Sequence, residues 1–220
     1  MHLSLRRDGA ELKRGAATPL IDALSELFHL NARAGQRLSS PGLAGPELDS
    51  TGIVGSIAAE YLGPAARPVR AIAFDKSANA NWALGWHQDR TICVAKRHDV
   101  SGFDLWSTKQ GLQHVAPPFS LLEHMVTLRV HIDKVDEDNG PLLIALGSHR
   151  RGLIPEAAVE SVVKECEHFA CMADAGDVWV YATPVLHASD RVVPGRRRRV
   201  LQVDYSAEDL PSPLEWLGVA

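Results

Sequence analysis

A chain of 220 residues with 45% hydrophobic and 23% charged side chains has the composition of one ordinary globular domain able to bury a full core. Its net charge of −4 creates no overall field that would favour nucleic acid, and no apolar run reaches the length of a membrane span. Met1 to Arg14 lacks an apolar segment followed by a cleavage site, and Cys93, Cys166 and Cys171 show no CxxC spacing, so the expectation is a cytoplasmic protein with reduced thiols.

Taken in order, Ala10 to Gly15 reads as a short edge strand. Thr18 is a good N-cap and Pro19 a good first helical residue. Leu20, Ile21, Leu24, Leu27 and Phe28 then recur at helical spacing, which predicts an amphipathic helix to about Ala34. Ser39 to Gly52 is rich in Gly, Pro and Ser and reads as a loop. A second helix, from about Ile53 to Leu62, stops at Gly63-Pro64. Beyond Pro68 the pattern changes to short strands between turns: Val69 to Phe74, one within Ala83 to Ala95, Thr127 to Asp133, Pro141 to Leu146, Asp177 to Ala182 and Val200 to Tyr205. Asp138-Asn139-Gly140-Pro141 and Pro194-Gly195 are strong turn signals, and Ala157 to Glu167 reads as a short connecting helix. The order implies an α+β, mainly β chain: residues 1–66 as helical support on one sheet, 67–206 as an antiparallel sandwich or barrel, and 207–220 as a tail.

The chemistry centres on Trp86-His87-Gln88-Asp89. On a strand, His87 and Asp89 project to one face, and an imidazole beside a carboxylate is two thirds of the 2-His-1-carboxylate set that holds non-haem Fe(II). His187, expected where the strand Asp177 to Ala182 ends, is the candidate third ligand. His131-Ile132-Asp133 is a rival H-x-D. The face of His87 continues with the small residues Thr91, Cys93 and Ala95, whereas His131 shares its face with Thr127 and Arg129; this favours His87 without excluding the rival. In Arg196-Arg197-Arg198-Arg199, alternation puts Arg196 and Arg198 on one face. An inward guanidinium at the head of the apolar strand Val200 to Tyr205 is a costly buried charge unless an anion meets it. A dicarboxylate held by a bidentate fork would supply that anion.

Several stretches in order resemble the phytanoyl-CoA dioxygenase family of Fe(II)/2-oxoglutarate oxygenases: Phe74-Asp75-Lys76, Asn81-Trp82, Trp86-His87-Gln88-Asp89, Asp138-Asn139-Gly140-Pro141-Leu142, Gly147-Ser148-His149, Gly176-Asp177-Val178, His187-Ala188-Ser189 and Arg198-Arg199-Val200-Leu201. The resemblance spans about residues 69 to 205. It implies a double-stranded β-helix (jelly roll, cupin-like) with His87, Asp89 and His187 as iron ligands, settling the choice against His131. It also implies Arg198 and Ser189 on the distal carboxylate of 2-oxoglutarate, with Lys76 and Asn81 as further contacts to that co-substrate; Arg196, which shares the facing of Arg198, stays open as the clamp. Related halogenases carry a small residue in place of the metal carboxylate, so the presence of Asp89 favours hydroxylation or a related oxidation over halogenation, with O2 consumed and succinate and CO2 released. Trp82, Thr91, Trp106, His149 and Arg150 are the candidate substrate contacts. The expected partner is a small molecule, met by a monomer or homodimer, with no nucleic acid or membrane involved. The rival readings are a non-catalytic cupin-like module that binds a small acid, and a cupin isomerase or lyase that uses the metal without 2-oxoglutarate.

Overall fold

The computed structural model describes residues 2–29, 35–38, 45–78 and 80–219. The N-terminal part runs α1 (Leu5–Asp8), β1 (Ala10–Lys13), α2 (Ile21–His29), β2 (Gly35–Leu38), α3 (Gly45–Leu48) and α4 (Ile53–Leu62). There follow β3 (Arg67–Lys76), β4 (Leu84–His87), β5 (Ile92–Val94), β6 (Asp104–Lys109), β7 (Leu112–Ala116), α5 (Phe119–Glu123), β8 (Val126–His131) and β9 (Leu142–Ala145). The last elements are α6 (Val159–Glu165), β10 (His168–Cys171), β11 (Val178–Ala182), β12 (His187–Ser189) and β13 (Arg198–Ser206). They form a six-stranded sheet in the order β1-β11-β8-β13-β3-β2, a four-stranded sheet β10-β9-β12-β4 and a smaller sheet β5-β7-β6. The antiparallel two-sheet core is a jelly roll.

Period-two alternation explains how the large sheet is used. Its outer face presents Ala71, Ala73, Leu128, Val130, Val178, Val180, Leu201, Val203 and Tyr205 to Leu24 and Phe28 of α2 and Val54, Ile57 and Ala58 of α4, in one buried cluster. Each Val, Leu, Ile or Phe among them contributes about 1.5–3 kcal/mol when fully buried, and Tyr205 anchors its hydroxyl on the Leu48 carbonyl at 3.0 Å. The inner face is different. Arg70, Lys76, Thr127, Arg129, His131, Tyr181, Arg198, Gln202 and Asp204 are all buried there. Against β9 the inter-sheet space is apolar, with Leu142 and Ile144 packed on Trp179 and Tyr181.

Several boundaries differ from the sequence reading. Thr18 lies inside a 3-10 turn, Thr18–Leu20, capped by Ala17, because Thr18 N–H donates back to the Gly15 carbonyl. The end of the helix expected near Ala34 and the first part of the loop expected from Ser39 lie outside the described residues. The stretch expected to hold one strand between Ala83 and Ala95 holds two, in different sheets, so Thr91 and Cys93 do not continue a strand face begun by His87. His187 does not end β11; it opens a strand of its own on the opposite sheet. Residues 1–66 are more than helical support, since β1 and β2 form both edges of the large sheet. The β6–β7 hairpin went unforeseen. Its two turn residues, Gln110 and Gly111, have φ of +53° and +81°, and only the glycine is typical of such a turn. The C-terminal segment runs beside β5: Ala95 N–H donates to the Glu215 carbonyl and Leu217 N–H to the Cys93 carbonyl.

The contact of α3 with α4 depends on Gly55, where a Cβ would overlap the carbonyls of Leu48 and Asp49. Gly55→Ala forces these backbones apart and is expected to cost about 1–3 kcal/mol, read as a lower urea midpoint with unchanged slope.

Candidate metal centre and co-substrate pocket

β12 lies antiparallel between β9 and β4, in a register that sets His187 directly opposite His87. The two ring centroids are 4.2 Å apart. In both residues Nδ1 lies against a backbone carbonyl two positions back, Gly85 for His87 at 2.8 Å and Val185 for His187 at 3.0 Å. A carbonyl can only accept, so Nδ1 carries a proton in both rings and Nε2 is the nitrogen left to face a metal. Burial and then His87 push His187 down to about 4, against the pull of Asp89, so this ring is neutral at pH 7.

Asp89 follows β4 in irregular backbone. Its carboxylate meets Arg70 Nη2 at 3.3 Å. Burial opposes its ionisation, but the adjacent Arg70 guanidinium draws it the other way, and Asp89 stays below the ordinary carboxylate range. Arg70 is itself buried and is also gripped by Asp204, which takes a further hydrogen bond from Thr127 at 3.0 Å. Among the described residues, His87, Asp89 and His187 form the one group of three metal-ligating side chains, with donor atoms all within 4.8 Å of one another. Two imidazoles and one carboxylate suit a divalent first-row metal and leave part of its coordination sphere open.

The bond network around the three explains their placement. Gln88, the residue between two of them, turns the other way: its Nε2 donates to the Gly152 and Pro184 carbonyls, and its Oε1 accepts from Ile154 N–H at 2.9 Å. It thereby ties the His87–Asp89 segment to the turn before His187. Buried Ser148 supports that same turn by accepting from Leu186 N–H.

The three donors border a cavity of about 910 Å³ that Lys76, Trp82, Thr91, Arg129, Ser189 and Arg198 also line. Arg198 is 2% exposed. Its Nη1 donates to the Gly140 carbonyl, and its Nε has no partner. Burial, then Arg129, lowers it to about 9, the sign of a cation without an anion. Its three neighbours in the run are all paired: exposed Arg196 with Asp136, Arg197 with Asp75 and Arg199 with Asp133. Arg196 precedes β13 and faces away from the cavity, so the inward arginine is Arg198. Lys76, directly opposite Arg198 across β3 and β13, donates to Ser189 Oγ at 3.0 Å and to the Asp190 carbonyl at 2.6 Å. Its Nζ lies 5.0 Å from the Trp82 ring centre.

Other candidates fall elsewhere. Asn81 is occupied in a reciprocal pair with Val192, donating at 2.8 Å and accepting at 3.0 Å, and does not line the cavity. Trp106 sits in the small sheet under Arg97, because β6 turns it toward that sheet's own core. His149 reaches the Arg6 carbonyl, and Arg150 borders a surface depression beside Asp8. In the rival tripeptide His131 is buried on the inner face with both nitrogens unpartnered, while Asp133 is engaged with Arg199. The sequence reading missed Arg70, Arg129 and Gln202 as cavity residues. Their signal is a polar side chain alternating with apolar ones in β3, β8 and β13.

With this geometry in view, the family model for phytanoyl-CoA dioxygenase (PhyH) matches residues 53–200, more than half of the chain. The chain belongs to the PhyH family. Enzymes of this family use Fe(II), 2-oxoglutarate and O2, and the donor set and unpaired Arg198 are of the kinds such cofactors need. Among solved structures, EctD from S. alaskensis in its apo form superposes with a TM-score of 0.66 at 16% identity, covering 95% of this chain and 77% of EctD. HygX from Streptomyces hygroscopicus with nickel and 2-oxoglutarate bound gives 0.62 at 13%, covering 92% and 84%. SnoN, a non-haem α-ketoglutarate-dependent epimerase from nogalamycin biosynthesis, gives 0.64 at 15%, covering 95% and 87%. At these identities they share the fold with this PhyH member. No curated protein sequence matches the chain. No described helix is long and apolar enough to cross a membrane.

Two outcomes follow from the charges. Arg70→Met leaves Asp204 buried without its cation and is expected to cost about 3–5 kcal/mol, measured by urea unfolding. Burial, then Arg198 and Arg129, lowers Lys76 to about 7 from its ordinary 10.5. Between these values the unfolded chain holds a proton that the folded chain has lost, so this residue makes stability rise with pH across that window. Wild type should therefore gain stability relative to Lys76→Met as pH rises from 7 toward 10, as read from unfolding midpoints at matched ionic strength.

Proposed function

We propose that this PhyH enzyme hydroxylates an unactivated C–H bond of a small molecule, consuming 2-oxoglutarate and O2 and releasing succinate and CO2. The observation that carries this reading is Arg198: a buried guanidinium with no acid partner among the described residues, in the same cavity as two imidazoles and a carboxylate. A cupin-like metal isomerase or lyase has no use for that cation.

In this reading His87 Nε2, His187 Nε2 and an Asp89 oxygen hold the iron. Bound there with 2-oxoglutarate, Fe(II) supplies the oxidising chemistry by which one oxygen atom of O2 enters the substrate and the other enters succinate. The protein's own work is positional. Arg198 takes the distal carboxylate of the co-substrate through its free N–H groups, and Ser189 and Lys76 close around the same end. Arg70, fixed by Asp204, keeps Asp89 ionised and oriented. Trp82 and Thr91 supply wall surface for the substrate. Retention of Asp89 favours hydroxylation over halogenation, since no ligand position is vacated for a halide. The free thiols fit a cytoplasmic setting, with the chain acting as a monomer or homodimer.

Anaerobic titration with Fe(II) and 2-oxoglutarate should produce a weak visible charge-transfer band in wild type. Arg198→Ala should weaken 2-oxoglutarate binding about 10- to 100-fold, the loss of a charged hydrogen-bonded contact, while Asp89→Ala should lose the metal with its circular dichroism unchanged. Equal chelation by wild type and Arg198→Ala overturns the assignment of the clamp. Succinate release across a panel of small acids, amino acids and acyl thioesters then identifies the substrate.

A further inference from the structure

A second cation without a carboxylate partner among the described residues stands at a different place in the cavity. Arg37, on the edge strand β2, lines it together with Lys109 from the β6–β7 hairpin. Register separates this pair from the co-substrate clamp. Arg37 lies opposite Ile72 of β3, and Arg198 lies opposite Lys76 of the same strand. The two rows are therefore about 13 Å apart at ~3.3 Å per residue, too far for one short dicarboxylate to satisfy both while also reaching the metal ligands.

Arg37 is oriented without being neutralised. Its Nε donates to His114 Nε2 at 3.3 Å. His114 is fully buried, and its Nδ1 lies 3.0 Å from the Leu112 carbonyl, so Nδ1 carries the proton and Nε2 accepts. The buried Cys93 thiol lies 3.1 Å from the same nitrogen. A neutral ring thus fixes the guanidinium's direction and leaves its charge in place. No carboxylate pairs with Arg37 or Lys109 among the described residues. Nearby Arg70 is already engaged by Asp204 and Asp89. Burial, then Arg70, lowers the Arg37 pKa, as expected of a cation awaiting a counter-charge. The hairpin is also held in place: Gln110 Oε1 accepts from Arg37 N–H at 3.0 Å, and its Nε2 donates to the Gly35 carbonyl at 2.7 Å. The rim at the turn before α6 contrasts with this end, because there Glu156 faces Arg90 at 3.8 Å.

We propose that the primary substrate carries an oxyanion, a carboxylate or a phosphate monoester, seated against Arg37 and Lys109, with the carbon to be oxidised between that group and His87, Asp89 and His187. The inference rests on the oxygenase reading and adds the substrate class to it.

The test uses the full chain loaded anaerobically with Fe(II) and 2-oxoglutarate, titrated calorimetrically with benzoate, hexanoate and phenyl phosphate, and with benzamide and hexanamide as neutral partners. Expected is binding of the carboxylates or of the phosphate, with the amides at least about tenfold weaker. Arg37→Gln should weaken the oxyanion at least tenfold, and Arg37→Lys should recover most of that loss. The charge-transfer band of Arg37→Gln should persist, reporting an intact fold and an intact clamp. Carboxylate-only or phosphate-only binding, lost in Arg37→Gln, identifies the group. Acids and amides binding alike, no oxyanion binding at millimolar concentration, or Arg37→Gln binding as wild type while the band is present, each overturns this inference alone. A wild-type protein without the band overturns the oxygenase reading, and the substrate assignment with it.

Discussion

The site depends on one pairing register. β12 and β4 come from positions a hundred residues apart, and their antiparallel alignment puts His187 opposite His87. Because side chains alternate, a slip of one residue would turn one imidazole to the far side of the sheet and leave Asp89 with a single companion. The register is guarded from outside. Leu186, next to His187, and Trp86, next to His87, both pack into the cluster formed with α6, and Gln88 stitches the two segments together through backbone carbonyls. Packing and hydrogen bonds that never touch Nε2 hold the two imidazoles in place, while Arg70 grips the Asp89 carboxylate directly.

The large sheet divides its labour between its faces. The outer face, closed by α2 and α4, supplies apolar burial. The inner face carries Arg70, Arg129 and Arg198 within about three rows of one another, which is locally unfavourable. Arg70 is compensated by two carboxylates; Arg129 and Arg198 have no carboxylate partner among the described residues. A fold stabilised on one face can carry unresolved charge on the other, and such local conflict marks the surface where a ligand completes the structure.

Much of this was legible in the residues. Helix α4 was read with its observed ends because its apolar spacing and the Gly63-Pro64 stop agree. β8 was placed by its alternation and β13 by the apolar run after the arginines, and the H-x-D motif and His187 were found by residue type. What was not legible depends on distant partners. Nothing near Trp86 reveals that the strand ends at His87 and that Asp89 is held by Arg70 from another strand. The four arginines look alike until Asp75, Asp133 and Asp136 claim three of them. Asn81 looked like a pocket residue, although its amide matches the Val192 backbone. The β6–β7 hairpin escaped because Gln110 occupies a conformation that its residue type rarely adopts, leaving a single glycine as the signal.

The C-terminal strand-like segment has a consequence of its own. By running along β5, Glu215 to Leu217 covers the outer rim of the small sheet, where bare amide and carbonyl groups would otherwise offer a template to another molecule. The final residues thus serve as a hem on the fabric. Trimming them, or pulling them aside with a fused tag, would open a sticky border beside Cys93 and invite self-association.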